Sequence, residues 1–171
     1  MALPENAHRP LRDGEKYIPI VPENRDWKQL TPSSIIFGFL MAILFTGASA
    51  FLGAKIAQVP EASMSVALIA MAVSRILQRQ KSLLENVMIQ SIASVATGVG
   101  CAVFVLPAIY ILGLEKATFW DMFIACSCGA VLAILFATLV RKYYVADQHG
   151  AYPYPEATIA TETLAAGEST G

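Results

Sequence analysis

This chain is poor in the residues that do chemistry. It holds two histidines, three cysteines and two tryptophans in 171 residues. His8 and His149 stand alone in polar stretches and read as ordinary surface side chains. Cys101, Cys126 and Cys128 all fall in apolar runs, and an odd number of thiols there is not a disulfide framework. Cys126 and Cys128 lie two apart, so a helix turns them to different faces, which argues against a metal or redox pair. No nucleophile elbow, zinc signature or phosphate-binding glycine loop occurs. An enzyme has no constellation to rest on, and no cofactor or metal is expected. The basic residues form no patch interleaved with aromatics, which leaves nucleic-acid binding without support. No internal repeat or strand pattern stands out. The first 31 residues lack the apolar core of a secretory signal.

Charge is scarce as well. Only 15% of residues are Asp, Glu, Lys or Arg. Nearly all of these sit in residues 1–31, in short connectors, or in the last 26 residues. What remains is apolar: 56% of the chain is hydrophobic and the mean hydropathy is +0.55. Soluble domains lie near about 45–50% on a comparable count. The expected fold class is therefore an all-α, polytopic transmembrane helical bundle with four transmembrane helices.

The boundaries follow from punctuation. Residues 1–31, with four prolines and mixed charges, read as an extended N-terminal tail. Thr31-Pro32 is a helix start, with Thr as N-cap and Pro in the first turn. The membrane domain spans 32–145, with helices expected over 33–57, 61–80, 85–113 and 119–145. In the first, Gly38, Ala42, Thr46, Ser49 and Gly53 recur at helical spacing and form a face that lets another backbone approach. Ser63, Ala67, Ala70 and Ser74 do the same in the second. Cys126, Gly129 or Ala130, Ala133 and Ala137 do so in the fourth. The uncharged part of the second helix is short for a span of about 20 residues. Ser82 and Glu85 fit a capping box, as do Thr118 and Asp121. Residues 146–171 read as a loop and the start of a further helix.

The third segment organises the rest. Its uncharged run of about 28 residues would reach roughly 42 Å as one helix, against a hydrocarbon core of about 30 Å. Tilt or a break is expected, with Pro107 a bend. Asn86, Gln90, Ser94, Thr97 and Cys101 recur at spacings of 4, 4, 3 and 4 and share one helical face. Such a stripe turns toward other helices or toward a wet pathway, not toward lipid. For Ser94, Thr97 and Cys101 the small side chains fit close packing as well as a pathway wall. Gln90 is larger and has four hydrogen-bonding sites to satisfy. Glu85 and Asp121 suit proton carriage, but helix capping accounts for both more economically.

Basic residues set the orientation. With the N-terminus cytoplasmic, ten lie on the inside and Lys55 and Lys116 on the outside. Without the distant Arg9 and Arg12 the ratio is still eight to two, as the positive-inside rule requires. Both the N-terminal tail and the C-terminal loop are then cytoplasmic.

Three stretches carry a family resemblance: TGASAFLGAK over 46–55, LENVMIQSIAS over 84–94, and YPYPEATIATETLAAGE over 152–168. The second resembles an E-N-x-x-x-Q-[ST]-I-A-S pattern and the third a Y-P-E-G-T-A-x-A-E-x-L-x-A-G-E pattern. Ala157 stands where the latter usually has glycine. Together these resemble the OPT family, the oligopeptide transporters with their yellow-stripe-like branch. The resemblance implies a secondary transporter, proton-coupled, for small peptides or peptide-like metal chelates. By matching position it brings Asn86, Gln90 and Ser94 to the central region. It places Tyr154 and Glu156 at the entrance of the next helix, and Glu162 along it. With Thr97 from the stripe, these seven form the expected substrate pathway. Family members are several times longer, so the resemblance implies a fragment or the first part of a split transporter. Its partners would be the bilayer, the remaining helices of the same or a partner chain, and the substrate. The rival expectation is a non-transporting membrane scaffold or assembly subunit, whose small faces serve helix association alone.

Overall fold

The structure, a computed structural model, describes residues 3–21, 27–78, 82–113 and 118–169. The side chains of residues 97, 99–101, 110 and 169 fall outside that description. The described chain is helical, without strands. After a short 3-10 turn at Glu5–Ala7 come α1 (Pro32–Ile56), α2 (Ala62–Ile76), α3 (Leu83–Ala93), α4 (Val95–Val105), α5 (Pro107–Ile111), α6 (Phe119–Arg141) and α7 (Pro155–Ser169).

Local chemistry explains the starts of α1 and α6. The Thr31 hydroxyl accepts from the Ser34 N–H at 3.2 Å, and the Ser34 hydroxyl accepts from the Thr31 N–H at 3.1 Å. Pro32, which has no N–H to leave unpaired, follows. At α6 the Asp121 carboxylate accepts from the Thr118 N–H at 2.9 Å.

In the middle of the chain a break falls at Pro107, where a bend was expected, and a second falls at Ser94, where none was. In place of one helix over 85–113 there are three helices, interrupted at Ser94 and Leu106. The Ser91 and Ser94 hydroxyls bond back to the carbonyls of Val87 and Ser91, both at 2.8 Å. Such back-bonding competes with the helical ladder and bends it. Leu106 precedes Pro107, and proline crowds its predecessor out of the helical region. Pro107 then opens α5, where its missing donor costs nothing. The second helix also stops early. Gln78 takes φ +50, a left-handed value that ends α2 before the expected residue 80. Arg79 and Lys81 lie outside the described residues.

The chain divides into two compact units. One comprises residues 1–3, 19–104 and 154–171; the other comprises 4–18 and 105–153.

In the first unit α1 packs along α3 and α4 in the same direction. A Cβ added to Gly38 would lie 3.1 Å from Ile92, and one added to Gly53 would lie 3.0 Å from Val103. The α1 face that meets them holds buried Ser34, Gly38, Met41, Ser49 and Gly53. α2 returns antiparallel against α3 through Ala62, Val66, Ala67, Ala70 and Ser74. The interior is built from small residues, and the largest fully buried side chains are Val66, Ser34 and Ser49. Ile36, Phe39, Leu40, Ile43 and Phe51 point outward. Small residues inside and large apolar ones outside is the arrangement lipid favours, because helix association there depends on close backbone approach.

α7 joins this unit. The helix expected to start within residues 146–171 buries Ala160, Leu164 and Ala165 and sets Leu164 in a cluster with Ala67 and Leu83. Ile20, Val21 and Trp27, from the segment before α1, pack on the same cluster.

In the second unit α6 is apolar and none of its residues is buried. α1, and α6 together with the π-helical turn Lys142–Asp147, are long and apolar enough to cross a membrane. α2 has 15 residues, about 22 Å of helix, short of a core of about 30 Å. Residues 4–17 do not run free. The Asn6 carbonyl oxygen lies 3.1 Å from His149 Nε2, and the Tyr17 and His149 rings are 5.2 Å apart. Gly150, at φ +71, brings its Cα against the Arg9 carbonyl, where a side chain would not fit. His149 is thus a packing residue of this unit and not an isolated surface histidine.

Candidate functional site

Of the expected polar stripe, the side chains of Asn86, Gln90 and Ser94 are described, and they differ in burial. Asn86 is 4% exposed, in the seam between α2 and α3. Its Oδ1 accepts from the Ser74 hydroxyl at 2.7 Å, and its Nδ2 donates to the Ser82 hydroxyl at 3.3 Å. Gln90 and Ser94 are half-buried at the edge of that seam, and the Ser94 hydroxyl is spent on the Ser91 carbonyl. The buried line along α3 and α4 runs through Asn86, Ile89, Ala93 and Ala96. It is rotated toward the apolar side of the stripe. The Thr97 and Cys101 side chains lie outside the described residues. Tyr154, Glu156 and Glu162 are exposed, the first just before α7 and the others on it. The structure therefore gathers one of the seven expected residues into a buried polar centre.

Ser74, Ser82 and Glu168, which join Asn86 in that centre, were not among the expected site residues. Ser82 was read as the cap of the third helix, and the structure overturns this. Its side chain makes no cap bond; it accepts from Asn86 and donates to the Glu168 carboxylate at 3.4 Å. A carboxylate and a buried amide compete with the helix end for the hydroxyl, and the charged acceptor is the stronger partner. Glu168 enters only because α7 folds back, bringing residues 86 apart in sequence together. Beside them Arg75 Nη2 donates to the Gly167 carbonyl at 3.3 Å. The result is a connected polar path, Ser74–Asn86–Ser82–Glu168, at the C-terminal ends of α2 and α7 and the N-terminal end of α3. Such a path can hold three helices in register, or pass hydrogen-bonding capacity to a solute when the helices part.

A second charged centre lies in the N-terminal segment. Arg9 and Glu15 form a forked pair, with both N–O contacts at 2.8 Å. The Arg12 N–H adds a bond to Glu15 at 3.0 Å, and the Asn6 amide one at 3.4 Å. The Arg9 guanidinium, followed by the Arg12 N–H, holds the Glu15 carboxyl down at about 2, and Glu15 in turn raises the Arg9 guanidinium. Cys126 and Cys128 are free and exposed on α6. Among the described residues no three His, Cys, Asp or Glu side chains come together as metal ligands.

The sequence profile of the OPT oligopeptide transporter proteins matches residues 29–171. The chain belongs to the OPT family. A curated Haemophilus influenzae protein, named as a candidate oligopeptide transporter, is 35% identical over 118 residues. That match covers 68% of this chain and 18% of the relative's length, so the chain spans under a fifth of that protein. No solved structure matches the chain. The OPT match takes in all of α1 to α7, and with it the polar path and both helices long enough to cross a membrane. Membership sets those helices in a bilayer, and the outward-facing Phe, Leu and Ile side chains of α1 and α6 then have lipid or further helices to meet.

Proposed function

We propose that this chain is part of a secondary active transporter. It would move oligopeptides, or metal chelates of peptide-like shape, with a proton gradient as the drive. Family membership over residues 29–171 is the observation that carries this reading. The buried Ser74–Asn86–Ser82 contacts support it, because a membrane bundle keeps polar groups inside only where helices or a solute satisfy them. In alternating access, interrupted helices supply polar groups near the midplane. The breaks at Ser94 and Leu106 give α3 to α5 that character.

The same reading has four crossings with the N-terminus cytoplasmic. The parallel course of α1 and α3–α4, with α2 returning, fits alternation of the first three. The contact of residues 4–17 with His149 and Gly150 fits a tail and a connector on one side of the membrane.

The test is uptake of labelled peptides and of metal chelates by the full-length natural protein, with and without a pH gradient. Gradient-dependent uptake is expected. Gln90→Leu should lower it at least tenfold while membrane insertion stays normal. Insertion without uptake in the unaltered protein would favour the scaffold reading, for which the unburied surface of α6 is the supporting observation.

A further inference from the structure

The docking of α7 on the ends of α2 and α3 has a releasable character. The contacts of α7 include three at its C-terminal turn. Gly167 lies against the Met71 thioether so closely that an added Cβ would coincide with the sulfur. Arg75 donates to the Gly167 carbonyl. Ser82 donates to Glu168. The two polar contacts are long, at 3.3 and 3.4 Å, and Arg75 is exposed. Beneath α7, Leu164 packs on Ala67 and Leu83, with Met71 and Val87 against them. Fastened this way, α7 also occupies the Ser82 hydroxyl, through which the buried Asn86 is satisfied.

We propose that α7 is a latch: docked, it closes the end of the α2–α3 seam and takes up the Ser82 hydroxyl through Glu168; undocked, it frees that hydroxyl during the transport cycle. The proposal rests on the transport reading given above. Gly167 is the fitted position, since any side chain there must displace Met71. Arg75, Ser82 and Glu168 are positioning residues, acting through α7 and not on the solute.

The experiment uses the full-length protein with Cys101, Cys126 and Cys128 changed to Ser, carrying Met71→Cys and Gly167→Cys together. Mild oxidation in native membranes should cross-link most of the protein. Each single-cysteine variant should give no internal cross-link. Ser82→Ala and Glu168→Gln should each slow cross-linking several-fold, a readout independent of uptake. Oxidation should cut peptide uptake at least tenfold, and reduction should restore it. Absence of cross-linking overturns the docked state. Efficient cross-linking with undiminished uptake overturns the release, leaving α7 a fixed brace. Cross-linking in a protein that takes up no peptide before oxidation removes the transport reading and the latch's role in it, while the docked geometry stands.

Discussion

Asn86 should couple to Ser74 across the seam between α2 and α3. The perturbation is a double-mutant cycle of Ser74→Ala and Asn86→Ala. The bond removed is short, 2.7 Å, and both residues are buried, at 7% and 4% exposure. Interhelical hydrogen bonds in membrane proteins average about 0.6 kcal/mol and reach about 1.7 kcal/mol. The burial and length of this one place it in the upper half, so a coupling of roughly 1–1.5 kcal/mol is expected. Asn86→Ala alone should cost more, roughly 2–3 kcal/mol, because it also strands the Ser74 hydroxyl and removes the donor to Ser82. Ser74→Ala should cost less, since Asn86 keeps its Ser82 partner. Reversible unfolding in mixed micelles, followed by helical circular dichroism, measures all four corners. A coupling below about 0.3 kcal/mol, within the scatter of independent sites, would show that the two side chains do not share a bond and would remove the centre of the candidate site.

Gly38→Leu should destabilise the bundle by about 1–3 kcal/mol, because its first carbon already meets Ile92 at 3.1 Å and the rest has nowhere to go; Gly47→Leu, where nothing lies within 4 Å, should be near neutral in the same unfolding assay. The N-terminal segment should be acid-sensitive in a defined window. Glu15 has its folded pKa depressed to about 2 from an ordinary 4.5, so its contribution is present above about 4.5 and is lost as pH falls from there through 2. Pepsin cleavage within residues 4–17 should rise across that window, and Glu15→Gln should flatten the rise.

Some of this was legible in the residues because the physics is local. Thr31 and Pro32 start a helix wherever they occur together, one answering an open donor and the other lacking one, while the Ser34 half of the capping box came from the structure. Gly38, Ser49 and Gly53 share a face by spacing alone, and lipid leaves small residues few other uses. The Asn86 to Cys101 stripe was only half legible. Its periodicity assumes one straight helix, while Ser91 and Ser94 bend the chain by bonding their own backbone.

The sequence by itself determined a helical membrane segment of the OPT family, because hydropathy, capping and motif spacing are properties of short stretches. Tertiary structure alone decided which polar residues meet. Ser82 looked like a cap until Glu168 arrived from 86 residues away, and the tail and His149 looked solitary until they packed on each other. A contact between distant stretches depends on how the intervening helices turn, and no local pattern encodes that direction.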